Sequence, residues 1–200
     1  MKGVPSMRIV LASSNPHKVK EFRHLFSVSG LDVRPPADWG LAALSVEESG
    51  LTFTENALAK ARAYCTAYNM PTVADDSGIR VDALAGAPGV RSARFGPPGL
   101  DDEGRARYLL TCMDMIEDPW RGAHYVCMLA FVCPQRDPVV VAGKWYGRLG
   151  REYVKGSTGF GYDPVFIVPS RGVAAARLTV DEKDQLGHRG KAVRRLLAIL

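Results

Sequence analysis

Asp75 and Asp76 stand side by side after the run Pro71-Thr72-Val73-Ala74 and lead directly into Ser77-Gly78. Carboxylates placed at the end of an apolar run point to a metal. In an extended segment neighbouring side chains point to opposite faces, so only one of the two acids can easily look into a given site. The competing reading is a solvated turn, because Asp, Ser and Gly are ordinary turn residues. Ser77-Gly78 predicts the place where the chain leaves a strand.

A second acidic pair, Glu47 and Glu48, precedes Ser49-Gly50. One carboxylate from each pair could hold Mg²⁺, which takes oxygen ligands and keeps waters and substrate phosphates in its remaining positions. A nearby acid could then act as base toward water. Two exposed acids ahead of a helix are the plainer alternative, since negative charge is favourable there.

Ser13-Ser14-Asn15-Pro16-His17-Lys18 puts hydroxyls, backbone N–H groups and a lysine at the start of a helix, where the dipole favours an anion. It lacks the glycines of a Walker A loop, and helix capping alone also explains it. In Ser157-Thr158-Gly159-Phe160-Gly161-Tyr162-Asp163-Pro164, glycines flank an aromatic that offers a face for a base. A bulged turn with Phe160 and Tyr162 in the core has comparable weight. Gly187-His188-Arg189-Gly190 reads as a turn before the last helix that presents fixed donors, or as surface decoration.

These segments need elements to position them. Arg8 to Ala12 is a buried-type strand, followed by Asn15 as N-cap and Pro16 at the first helical position. Val19, Phe22, Leu25 and Phe26 then form an apolar stripe. A second helix starts near Thr52 to Thr54 and runs to about Tyr68, burying Ala57, Leu58, Ala61, Tyr64 and Cys65. Asn56 and Lys60 share a different face. A third helix is expected over Asp102 to Met115, and a last one over Lys191 to Leu200 with Val193, Leu196, Leu197 and Leu200 on one face. Ala123 to Cys133 and Val139 to Tyr146 predict a strand hairpin. Strands alternating with helices and then a hairpin imply an α/β architecture with a mixed sheet. Met1 to Ser6 precede the first strand as a possible tail, with Met7 an alternative start.

The 200 residues carry a formal net charge of +5 and are 46% hydrophobic, which argues against disorder and predicts one continuous domain. The charge suits a polyanionic ligand without demanding nucleic acid, and small phosphorylated substrates satisfy it. No run is long enough for a membrane span and no cleavable leader is evident, so a cytoplasmic location is expected. Cys65, Cys112, Cys127 and Cys133 form no C-x-x-C pair and read as buried free thiols.

Taken in order, the motifs resemble the Ham1/inosine triphosphatase family of pyrophosphatases acting on non-standard purine nucleoside triphosphates. They are Ser13 to Lys18, Glu47 to Phe53, Ala74 to Gly78, Gly86 to Arg94, Gly159 to Pro164 and His188 to Ala192. The resemblance spans about Arg8 to Leu200. It implies a mixed, twisted sheet flanked by helices, two lobes around a nucleotide cleft, and a homodimer. It further implies Mg²⁺-dependent hydrolysis of ITP, dITP and XTP to the monophosphate and pyrophosphate. Carried over by motif, Ser13, Ser14, Asn15, Pro16, His17 and Lys18 hold the triphosphate, with Asn56 and Lys60 as helpers. Glu48 and Asp76 ligate the metal, Asp76 is the base, and Ser77 contacts substrate. Phe160, Gly161, Tyr162 and Asp163 form the base pocket with Lys183, His188 and Arg189, while Asp75 is a second acid of open role.

Donors from His188 and Arg189 suit the 6-oxo group of hypoxanthine or xanthine, whereas adenine presents an amine there. The chain departs from the family pattern at Gly187, where Ser is frequent, and at Ser13-Ser14, where Thr-Gly is frequent. Neither change removes a metal ligand. Rival readings are a Maf-like nucleotide pyrophosphatase, a metal-free nucleotide sensor, and a nucleic-acid module using Phe160 and Tyr162 as a stacking platform. The last leaves Glu48 and Asp76 unexplained, because carboxylates beside a phosphate path repel it.

Overall fold

Asn15 ends one element and starts the next: its side chain accepts from the backbone N–H groups of His17 and Lys18, and Pro16 follows at the first helical position. This cap joins β1 (Arg8–Leu11) to α1 (Pro16–Phe26) in a computed structural model that describes residues 7–200. Readings that concern Met1 to Ser6 lie outside the described residues. After β2 (Asp32–Arg34), Thr52 and Glu55 form a reciprocal capping box that opens α2 (Phe53–Tyr68). The chain continues through β3 (Thr72–Val81), α3 (Asp102–Cys112), β4 (Gly122–Val132) and β5 (Val139–Leu149). It ends with β6 (Phe166–Val168), β7 (Val173–Ala174), α4 (Val180–Leu186) and α5 (His188–Leu197).

The strands form one seven-stranded sheet in the order β2-β1-β3-β4-β5-β6-β7. β1 runs parallel to β2 and β3, whereas β6 is antiparallel to β5 and β7, so the sheet is mixed as expected. No helix among the described residues is long and apolar enough to cross a membrane.

The chain divides into two units. The first comprises the chain up to Asp76, Cys127–Gly143 and Arg189–Leu200; the second comprises Ser77–Val126 and Lys144–His188. In the first unit, strand alternation sorts the core into two layers. Ile9, Leu11, Val73, Cys127, Leu129 and Phe131 pack with Phe22 and Phe26 of α1 and with Val193 and Leu196 of α5. Val10, Ala12, Ala74, Ala130 and Val132 pack with Ala57, Ala61 and Tyr64 of α2. In the second unit, Ile79, Val81, Leu109, Met113, Tyr125, Trp145, Leu149 and Phe166 form a single cluster.

Several expectations are corrected. Ser77-Gly78 does not end a strand, for β3 continues to Val81. Gly78 serves close packing instead: a Cβ there would lie 2.3 Å from Ser92 Oγ and 2.6 Å from Gly89 O. The third helix stops at Cys112, and Met115 is exposed. The last helix begins at His188, so His188 and Arg189 occupy its first turn, after the unanticipated α4. Leu200, expected on its apolar face, lies beyond the helix end at Leu197 and is exposed. All four cysteines are free, but only Cys65 and Cys127 are buried.

Arg121 had no anticipated role, yet it is buried in the second unit. Its guanidinium donates to the carbonyls of Met113 (2.5 Å), Ile116 (3.0 Å), Leu149 (3.2 Å) and Gly150 (2.7 Å). Arg121→Met would keep the stem and strand these carbonyls, a loss of about 2–3 kcal/mol of stability measurable by denaturant unfolding. A midpoint equal to the wild type would show that the carbonyls find other partners.

Candidate active site

Two constellations contain most of the residues singled out above, one in each unit. In the first, β3 presents its two acids to opposite layers. Val73 faces α1 and α5, so Asp75 shares that face, and Lys18 Nζ meets its Oδ2 at 2.8 Å. Arg189 Nε lies 4.0 Å from the same oxygen, and its Nη1 is 2.9 Å from Glu21 Oε2. Burial alone would raise the Asp75 pKa; the charges of Lys18, Arg189 and Lys60 overcome it and hold the carboxyl well below its ordinary value. Asp75 is therefore a buried anion enclosed by cations.

Ala74 faces α2, and Asp76 follows it. Asn56 on α2 donates from Nδ2 to Asp76 Oδ2 at 2.9 Å and accepts from Gly50 N–H at 2.8 Å. One turn further along α2, Lys60 Nζ meets Glu48 Oε1 at 2.5 Å. Asp76 is 5% exposed, and burial pushes its pKa up to about 6 against the Asn56 hydrogen bond and the lysine charges; Glu48 adds to the rise. Lys60 is also held above its ordinary value, because Asp75, Glu48 and Asp76 outweigh its burial. Glu47, by contrast, is exposed, so the structure distinguishes the members of that acidic pair.

Ser13 Oγ accepts from Asn15 N–H at 3.3 Å, and Ser14, Pro16 and His17 are exposed beside it. Two backbone N–H groups anticipated for an anion, those of His17 and Lys18, are bonded to Asn15 Oδ1. What this helix start offers is chiefly hydroxyl and cationic side chains.

In the second unit Asp163 is the centre, 2% exposed. Its Oδ1 accepts from Tyr125 Oη at 2.9 Å; its Oδ2 accepts from Lys183 Nζ at 2.7 Å and from Phe160 N–H at 3.0 Å. Gly159 has φ +87°, and a Cβ there would stand 2.4 Å from Asp163 Oδ2, so both conformation and space require glycine. Lys183 Nζ also lies 5.1 Å from the centroid of the half-buried Phe160 ring. Gly161 N–H donates to Asp102 Oδ2 at 3.3 Å.

Tyr162 is buried, with its hydroxyl donating to Ser92 O at 2.7 Å, whereas Phe160 in the same loop is half-buried. Ser92 in turn accepts from Ile79 N–H and donates to Gly89 O, so the Gly86 to Arg94 segment ties β3 to the aromatic loop. Ser77 is half-buried at the start of this unit's part of β3. His188 stacks on Tyr125 at 4.6 Å and 5°.

Residues 9–199 match the Ham1 family. The chain belongs to that family. A Ham1 relative from Methylococcus capsulatus (strain Bath), named dITP/XTP pyrophosphatase, is 44% identical over 187 residues, covering 92% of each chain. A protein of the same name from Escherichia coli K12 is 44% identical over 195 residues, 96% of this chain and 98% of its own. The solved structure of a HAM1 protein from Coxiella burnetii superposes with a TM-score of 0.85 at 36% identity, covering 96% and 98% of the two chains.

Against this Ham1 background, Asp75, Asp76, Asn56, Lys60, Glu48, Lys18 and Arg189 gather in one unit, and Phe160, Gly161, Tyr162, Asp163, Lys183 and His188 in the other. His188 and Arg189 are chain neighbours, yet the first stacks among aromatics and the second pairs with carboxylates. Sequence reasoning missed Glu21, Tyr125 and Trp145. Glu21 lies on an ordinary polar helix face, and the two aromatics read as core residues of strands. Nothing local separates them from structural side chains.

Proposed function

We infer that this Ham1 protein hydrolyses non-standard purine nucleoside triphosphates, ITP, dITP and XTP, to the monophosphate and pyrophosphate. The observation that carries this is the buried Asp76, held by Asn56, raised to about 6 and grouped with Glu48, Lys60 and Lys18. A buried carboxylate held in place by Asn56 suits proton abstraction from water, and surrounding ammonium groups suit a triphosphate.

Glu48 and Asp76 fit Mg²⁺. Both offer hard oxygens, and Glu48 disfavours ionisation of Asp76, a repulsion that a divalent cation would offset. Among the described residues no three His, Cys, Asp or Glu side chains form a metal cage. Two carboxylates leave positions for water and phosphate oxygens, as Mg²⁺ prefers. Bound there, it would neutralise phosphate charge and orient the scissile bond. Asp76 takes the proton of the attacking water, Asn56 fixes the carboxylate, and Lys18 and Lys60 hold phosphate oxygens with Ser13 to His17. Phe160 stacks on the base, while Lys183, Asp163 and His188 recognise its edge. The same reading includes a cytoplasmic homodimer, to be weighed in solution by light scattering.

The deciding experiment is pyrophosphate release from ITP, XTP, dITP, GTP, ATP and dTTP, with Mg²⁺ and with EDTA. The first three are expected to be strongly preferred and all turnover to vanish with the chelator. Comparable ATP turnover would refute the specificity, and full activity in EDTA would refute the metal.

A further inference from the structure

We propose that Tyr125 is the positioning residue of base recognition, a role that rests on the function proposed above. Four contacts converge on it. Its ring lies parallel to the His188 imidazole at 4.6 Å and 5°. Its hydroxyl donates to Asp163 Oδ1 at 2.9 Å, the carboxylate whose other oxygen holds Phe160 N–H and Lys183 Nζ. Its ring also packs against Phe166, at 4.8 Å between centroids, and against Trp145 at 6.1 Å, which lies 6.4 Å from His188 in turn.

Tyr125 is 6% exposed, Trp145 3% and Phe166 0%, so the ring sits in a rigid aromatic wall. It lies within β4, a platform more precise than a loop. Tyr125, with Trp145 beside it, thereby sets the plane of His188 and, through Asp163, the placement of the Phe160 loop and the Lys183 ammonium. These are the groups assigned above to a purine face and edge. A hydroxyl bonded to a buried carboxylate is a strong contact, and its removal leaves Asp163 with one donor fewer.

The test compares wild type, Tyr125→Phe and Tyr125→Leu on ITP and ATP, with inhibition by inorganic triphosphate as a probe of phosphate binding. Tyr125→Phe keeps the ring on His188 and removes only the O–H. It is expected to raise KM for ITP about tenfold with kcat nearly unchanged, and to narrow the ITP-over-ATP ratio of kcat/KM by a similar factor. Tyr125→Leu should show a larger shift, and triphosphate inhibition should be unaltered in both.

A merely structural role would lower the active fraction equally for both substrates, leaving KM and the ratio at wild-type values. That result overturns the proposal, as does an equal weakening of triphosphate inhibition. If Tyr125→Leu does not fold, Tyr125→Phe decides alone. If the wild type releases no pyrophosphate from ITP, the function above fails instead, and calorimetric ITP affinity of wild type against Tyr125→Phe decides the role of Tyr125.

Discussion

Asp76→Asn is expected to lower kcat on ITP by about 10³-fold, the order that general-base catalysis supplies, while the protein remains folded. The substitution is isosteric. Asn56 Nδ2, 2.9 Å from Asp76 Oδ2, can still donate to the new amide oxygen. It removes a charge that burial and Glu48 oppose while Lys60 and Lys18 favour it from a distance, and among the described residues no salt bridge made by Asp76 is lost. What disappears is the group able to take a proton, together with one of two carboxylates proposed for Mg²⁺. Steady-state pyrophosphate release measured alongside a thermal melt separates the two effects. A variant that kept most of its kcat would remove Asp76 from the role of base, and one that failed to melt cooperatively would show that the carboxylate is needed for folding.

Asp75→Asn should instead cost stability, about 3–5 kcal/mol, because it removes one partner from a buried ion pair and leaves the other charged. Asp75 is 1% exposed, Lys18 Nζ stands 2.8 Å from it and Arg189 Nε 4.0 Å. Asparagine matches the shape but offers these cations only a dipole. For a chain of this size such a loss lowers the melting temperature by about 6–20 °C. Lys18→Met added to Asp75→Asn should recover part of it, since the pair is coupled. A single variant that melts with the wild type would mean that Arg189 and Lys18 are satisfied by other groups, and the view of Asp75 as a charge anchor would fall.

These two neighbours show how far strand logic reaches. Alternation along β3 says that Asp75 and Asp76 face opposite ways, and they do, toward Lys18 on one side and Asn56 on the other. The local signals were equally legible where the chemistry is local: Asn15 as a cap, Pro16 after it, and the Asn56/Lys60 spacing that puts both on the acidic side of α2. Gly78 was misread because a glycine needed for tight packing against Ser92 has the same signature as one needed for a turn. Tyr162 was offered two environments of similar weight and took the buried one, since its hydroxyl finds Ser92 O, a partner 70 positions away.

By itself the sequence determined the family, the α/β class, the caps and the residue types available for triphosphate chemistry, because six ordered motifs and short-range periodicity carry that information. Only the tertiary structure decided that Glu48 rather than Glu47 is drawn in, that Asp75 is enclosed by Lys18 and Arg189, and that Tyr125 braces Asp163 and His188. The reason is physical. Burial and charge pairing depend on side chains brought together from distant parts of the chain, and no local pattern encodes which of them meet.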